Sequence, residues 1–180
     1  MRAAMKWMMV GVAVALAFGG AFLLQPVTTA QELMTVDPDD LFTEYSDDED
    51  SFVLFPGTAK MQEGNSPHGA FVTILVNDVA LASIEAGNEV FDYGSHIVKV
   101  NYTPDGELAA YTDMVKIEGY DPMRDDWYWV KYDADGEVST AEDGTPLAGE
   151  TFKVMAEEKE SGCISCHSAV SDTDWVFSSF

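Results

Sequence analysis

The chain has 180 residues, of which 47% are hydrophobic and 12% aromatic, and its 9 Lys and Arg against 32 Asp and Glu give a net charge of −23. That apolar content excludes a disordered chain. The scarcity of Lys and Arg excludes nucleic-acid binding, which needs clustered positive charge against phosphate, and two cysteines are too few for a disulfide framework.

In chain order, Arg2 and Lys6 precede an apolar run from Trp7 to Leu24, which Gln25-Pro26 breaks before Thr28-Thr29-Ala30. Charged, apolar and small-residue regions in that order predict a secretory signal cleaved after Ala30. An uncleaved membrane anchor is the alternative, because the run is just long enough to span. Either form predicts export to the periplasmic side. The chain therefore divides into a signal over 1–30, an acidic lead-in over 31–60 and one domain over 61–180.

The lead-in carries Asp37-Pro38-Asp39-Asp40 and Asp47-Asp48-Glu49-Asp50. Asp37 can cap a short helix over 38–45 with Pro38 in its first turn; otherwise the segment is a solvated, self-repelling stretch. Beyond it, four runs predict strands: Phe71 to Val76, Ile97 to Tyr102, Leu108 to Ile117 and Trp127 to Tyr132. Pro104-Asp105-Gly106-Glu107 joins the second and third as a hairpin. Asp78 to Ala86, with Asn77 or Asp78 as cap and Gly87 as stop, predicts a two-turn helix. The expected fold is α+β and mostly β, an antiparallel sheet of four to five strands with short helices.

Near the C-terminus stands Gly162-Cys163-Ile164-Ser165-Cys166-His167. Cys-x-x-Cys-His is the attachment sequence for c-type haem. Two thiols three positions apart can each bond a vinyl group on one edge of the porphyrin, and His167 then supplies the proximal imidazole to iron. One covalently attached haem consumes both cysteines. A thioredoxin-like redox pair would follow an early strand, and a zinc site would need further ligands when only His68 and His96 remain.

The sixth iron position decides the chemistry. An open position binds small nitrogen-containing molecules, with or without turnover; a filled one makes the domain an electron carrier. His68, between Pro67 and Gly69, reads as a turn residue, and His96 as the start of a strand. Met34, Met61, Met114, Met123 and Met155 are further possible ligands, Met114 being mid-strand and better suited to the core. Trp127, Tyr128, Trp129, Tyr132, Trp175 and Phe177 are expected to pack the sheet and cover the porphyrin. Phe71, Phe91 and Tyr111 are candidates to cap the distal side, and Glu118 and Asp126 candidates to accept protons there. Lys99 shares a strand face with Ile97 and Asn101. Its amine lies either on a wet face or beside the haem edge, where desolvation would favour its neutral form. The acid excess suits a solvated surface, or steering towards a basic redox partner.

The chain resembles the cytochrome P-460 family, which includes the cytochromes c′-beta. The resemblance runs from His68 to Phe177. It rests on Ser66-Pro67-His68-Gly69, Val76-Asn77, Val98-Lys99, Met114-x-Lys116, Gly119-Tyr120, Asp126-Trp127-Tyr128-Trp129, Lys131-Tyr132, Gly136, the Cys163-to-His167 motif and Asp174-Trp175-Val176-Phe177. It implies a β-rich haem c domain, commonly a homodimer, with five-coordinate iron and an open distal side. Some such proteins oxidise hydroxylamine and others bind gases such as nitric oxide. It also implies a role for Lys99, which matches the strand lysine bonded covalently to the porphyrin rim in hydroxylamine-oxidising members; Val100 stands where the family often has Glu.

Overall fold

The computed structural model describes residues 36–160 and 162–177; the predicted signal and Met34 lie outside them. Six strands form one antiparallel sheet: β1 (Val53–Leu54), β2 (Gln62–Glu63), β3 (Phe71–Val76), β4 (His96–Tyr102), β5 (Leu108–Lys116) and β6 (Trp127–Asp133). Their order is β1-β3-β4-β5-β6, with β2 sharing the outer edge of β3 with β1. The four longer strands are those predicted. The two-residue edge strands are too short to leave a periodic pattern.

The predicted helix is α2 (Asp78–Ala86). Asn77 caps it by accepting from the Ala80 amide at 3.0 Å, and Gly87 ends it in the left-handed region at φ 69°. Asn77 also accepts from the His96 amide at 3.1 Å and donates to the Gly94 carbonyl at 2.9 Å, so one side chain fixes both the helix and the start of β4. Two helices were not foreseen: α3 (Glu150–Glu157), which turns Phe152 into the core, and α4 (Cys163–His167), which carries the cysteine motif.

Period-two alternation gives the sheet two faces, and both are covered. Ile74, Val76, Ile97, Met114, Trp127 and Trp129 pack on one side with Phe152, Ile164, Trp175 and Val176. The other side meets α1 (Pro38–Asp47), whose first turn Asp37 caps by accepting from Asp39 N at 3.0 Å. Phe42 lies 4.9 Å from the Tyr132 ring, and Tyr132 Oη donates to the Pro38 carbonyl at 2.6 Å. The acidic segment is therefore a packed layer of the domain at residues 38–47, its acids turned to solvent and its aromatics to the sheet. Beyond β6, residues 138–149 fold back along its edge, with Ser139 N to Lys131 O at 2.8 Å and Gly149 N to Trp129 O at 2.8 Å, and shield that edge.

Candidate functional site

Helix α4 follows α3 rather than a strand, unlike a thioredoxin-type pair. Cys163 and Cys166 are three positions apart, which places both thiols on one side of α4. Both are free. Burial pushes the Cys163 thiol up to about 11, which disfavours the thiolate that redox exchange or zinc binding requires. Among the described residues, no group of three or more His, Cys, Asp and Glu is placed to hold a metal ion.

His167 closes α4 and is buried. Its Nδ1 lies 2.7 Å from the Trp175 carbonyl, an acceptor, so Nδ1 carries the proton and Nε2 is left with its lone pair. Burial lowers its pKa to about 4, against the opposing effect of that hydrogen bond. The carbonyl is aimed by a tight turn in which Asp174 and Trp175 both take positive φ, 53° and 65°. That turn is held from the sheet. The buried Asp174 carboxylate pairs with the buried Lys116 ammonium, and accepts from Trp127 Nε1 at 3.2 Å and Phe91 N at 2.7 Å. Three fragments far apart in sequence (Met114-x-Lys116, Trp127, Asp174-Trp175) thus act together to orient one imidazole.

Two cavities meet at this ring. An inner one of about 40 Å³ is walled by apolar Phe55, Ile74, Ile97, Met114, Trp129 and Val176, with Lys99, Thr112, His68, Asp113, Cys163 and His167 also in its lining. An outer cleft of about 810 Å³ runs past Gln62, Pro67 and Cys166, within the roughly 300–1,000 Å³ of cofactor sites. His68, Lys99, His167 and Phe177 line both. The floor follows from register: Ile74, Lys99 and Thr112 are cross-strand neighbours, as are Ile97, Met114 and Trp129 one step along. Lys99 therefore faces the cavity and not open solvent, and burial lowers its pKa to about 8.

His68 departs from the turn residue expected of it. Its ring lies 6.4 Å from that of His167, and its Nδ1 meets Thr112 Oγ1 at 3.5 Å. Burial, followed by Lys99 and His167, lowers its pKa to about 3. The loop is seated by its neighbour: Gly69 N donates to Asn101 Oδ1 at 3.2 Å, and a Cβ at Gly69 would fall 2.5 Å from the Tyr102 carbonyl oxygen. Only glycine permits that approach.

The other candidates lie elsewhere. His96 is on the opposite face of the sheet, where its Nε2 pairs with Asp113 at 3.2 Å and its ring packs on Phe52. Phe91 packs on Trp127, Tyr111 on Phe42, and Phe71 lies outside both cavity walls, so none of the three lines the site; Phe55 and Phe177 do. Asp126 holds a loop by accepting from Tyr93 Oη, Gly119 N and Asp121 N, and Glu118 is exposed; neither reaches the cavity. Tyr128 and Tyr132 belong to the far face, whereas Trp129 and Phe177 stand 4.8 and 5.1 Å from the His167 ring. Met61 and Met123 are exposed, Met155 packs against the core, and Met114 lines the cavity. Phe55 and Thr112 were missed from the sequence: the former sits outside any periodic run, but hairpin register alone would have paired Thr112 with Lys99.

The residues present fit a haem c group. One imidazole has its tautomer fixed and is flanked by two thiols on one helix side. A cleft of suitable size adjoins it, and Trp129, whose buried Nε1 has no hydrogen-bond partner among the described residues, lines the inner cavity. A family model described as Cytochrome P460 matches residues 56–178, more than half of the chain. No curated protein matches it.

Proposed function

The chain belongs to the cytochrome P460 family and is a haem cytochrome, and from that premise we propose that it carries one covalently attached haem c and binds or oxidises small nitrogen species such as hydroxylamine or nitric oxide. Cys163 and Cys166 tether the group and His167 holds its iron through Nε2. The iron porphyrin supplies a coordination site and a one-electron couple.

The observation that carries the small-ligand reading is the inner cavity. Its volume of about 40 Å³ exceeds the roughly 10–15 Å³ that admits one water, so it suits a molecule of a few heavy atoms. Its walls are mainly apolar, with Lys99, Thr112, His68, Asp113, His167 and Cys163 as the remaining lining residues. Lys99 lies between Ile74 and Thr112 across the strands, and a lysine whose pKa is lowered to about 8 offers a neutral amine at mildly alkaline pH. That amine is the group proposed to bond the porphyrin rim if the protein is an enzyme. Thr112 orients a ligand by its hydroxyl, and the apolar wall excludes water.

The proposal includes export to the periplasm, where a redox partner would exchange electrons with the haem, and assembly as a homodimer. The test is a titration of haem-loaded protein with nitric oxide and with hydroxylamine, followed in the visible region. A saturable spectral change with either supports the reading; none with both overturns it. In the ferrous protein, a red-shifted Soret band that disappears in Lys99→Arg marks the rim bond and favours the enzyme; an ordinary band unchanged in that variant favours binding without turnover.

A further inference from the structure

We propose that Asp174 is a positioning residue for the haem: its buried pair with Lys116, acting through the Trp175 carbonyl, strengthens electron donation from His167 to iron and holds the reduction potential low. The inference rests on the haem reading above. A ligating imidazole that donates its other ring N–H to an acceptor becomes a more basic ligand, and such outer hydrogen bonds are one of the levers a protein has on a haem potential. His167 makes that bond to the Trp175 carbonyl at 2.7 Å, the short end of the N–H···O range.

The carbonyl belongs to a backbone that its own sequence disfavours. Trp175 has φ 65°, in the left-handed region that a bulky side chain seldom enters, directly after Asp174 at φ 53°. Such conformations persist only where the surroundings over-determine them, and they gather at functional sites. Here the surroundings are identifiable. Trp175 N donates to Val170 O at 3.1 Å, and its indole Nε1 to Asp125 Oδ2 at 2.9 Å. From the sheet side, the Asp174 carboxylate takes Lys116 Nζ, Trp127 Nε1 and Phe91 N.

Stability alone does not account for an ion pair at this place, because apolar residues of like volume often hold a core as well or better. What the pair adds is direction. Its donors come from β5, β6 and the segment before β4, so the turn is referenced to the rigid sheet and not to the short helix that carries His167. The pair is also electrically matched, one positive and one negative side chain, both buried. Opposite charges in contact nearly cancel at a distance, so its influence on iron runs mainly through the hydrogen bond.

The experiment uses the full chain matured in a host with haem c attachment machinery, with intact mass recorded first. Wild type is compared with Lys116→Met/Asp174→Ala, which removes one charge of each sign, and with Gly136→Ala, a destabilised control where an added Cβ meets Phe42 on the far face of the sheet. The readings are the midpoint potential and the iron–imidazole stretching band of the ferrous protein by resonance Raman. In the double variant the reduced form should be favoured by about tenfold or more, the low end for loss of an outer partner, which is a rise of about 59 mV for one electron. The stretching band should move to lower frequency, and Gly136→Ala should keep both wild-type values. A double variant with the wild-type potential and band overturns the proposal. So does Gly136→Ala protein that shifts as far, since loosened packing alone would then suffice. A further outcome needs no variant to fold: a wild-type band at the frequency of ferrous haem bound by 1,2-dimethylimidazole, which has no N–H to donate, overturns the proposal and leaves the haem reading standing. A mass without haem overturns the haem reading and this proposal with it.

Discussion

Removing the Asp174 carboxylate should unseat the turn that aims the Trp175 carbonyl at His167. Lys116 and Asp174 have side chains only 3% and 1% exposed, so Asp174→Ala strands an ammonium in the interior. Breaking a buried pair from one side costs about 3–5 kcal/mol, a large share of the roughly 5–15 kcal/mol that holds a domain folded. With a urea slope of about 2 kcal/mol per molar, the midpoint should fall by about 2 M. Adding Lys116→Met removes the stranded charge, so the double variant should be more stable than Asp174→Ala alone, though still below wild type because Trp127 Nε1 and Phe91 N lose their acceptor. Urea unfolding of the four proteins, followed by tryptophan fluorescence, gives the cycle. A loss below about 0.5 kcal/mol for Asp174→Ala, well under the range for a buried pair, or a double variant no more stable than the single, would refute the argument.

Cys163→Ser/Cys166→Ser protein should leave the attachment host without covalent haem, read as loss of one haem from the intact mass. Lys99→Met should stabilise the haem-free chain at neutral pH by at most about 3 kcal/mol, since each tenfold change in proton affinity is worth about 1.4 kcal/mol, less what partial exposure removes. Because burial lowers the Lys99 pKa to about 8 from the ordinary 10.5, the unfolded chain binds more protons between those values. The lysine's contribution to stability therefore rises with pH across that window, and the gap between wild type and Lys99→Met should narrow from about pH 8 to 10 in urea midpoints. At Gly136, where φ is +86°, an added Cβ would lie 2.3 Å from the Phe42 ring; Gly136→Ala should cost about 1–3 kcal/mol and open α1 to limited proteolysis.

The sequence by itself settled the elements whose physics is local. Alternation of β-branched residues marked the four long strands, Asn77 and Gly87 marked the ends of α2, and Cys163-x-x-Cys166-His167 marked the segment proposed to hold the haem, since thiol spacing along five residues carries its own chemistry. Asp37-Pro38 likewise marked α1, but nothing in so acidic a segment showed that Phe42 and Tyr45 would cover the sheet, because packing partners come from strands over sixty residues away. Helix α4 was illegible for the opposite reason: five residues are too few for a period.

Only the tertiary structure decided what faces His167. Alternation put Lys99 on the face of Ile97 and Asn101 without saying which face the C-terminal segment would cover, so a wet lysine and a cavity lysine read alike. His96 and His68 were equal candidates along the chain. Pairing of β3 with β4 turned His96 to the far face, and the Gly69–Asn101 contact brought His68 to within 6.4 Å of the His167 ring. The buried Lys116–Asp174 pair spans fifty-eight positions; a charge pair at that separation leaves no trace in spacing, because only chain folding brings its two ends together.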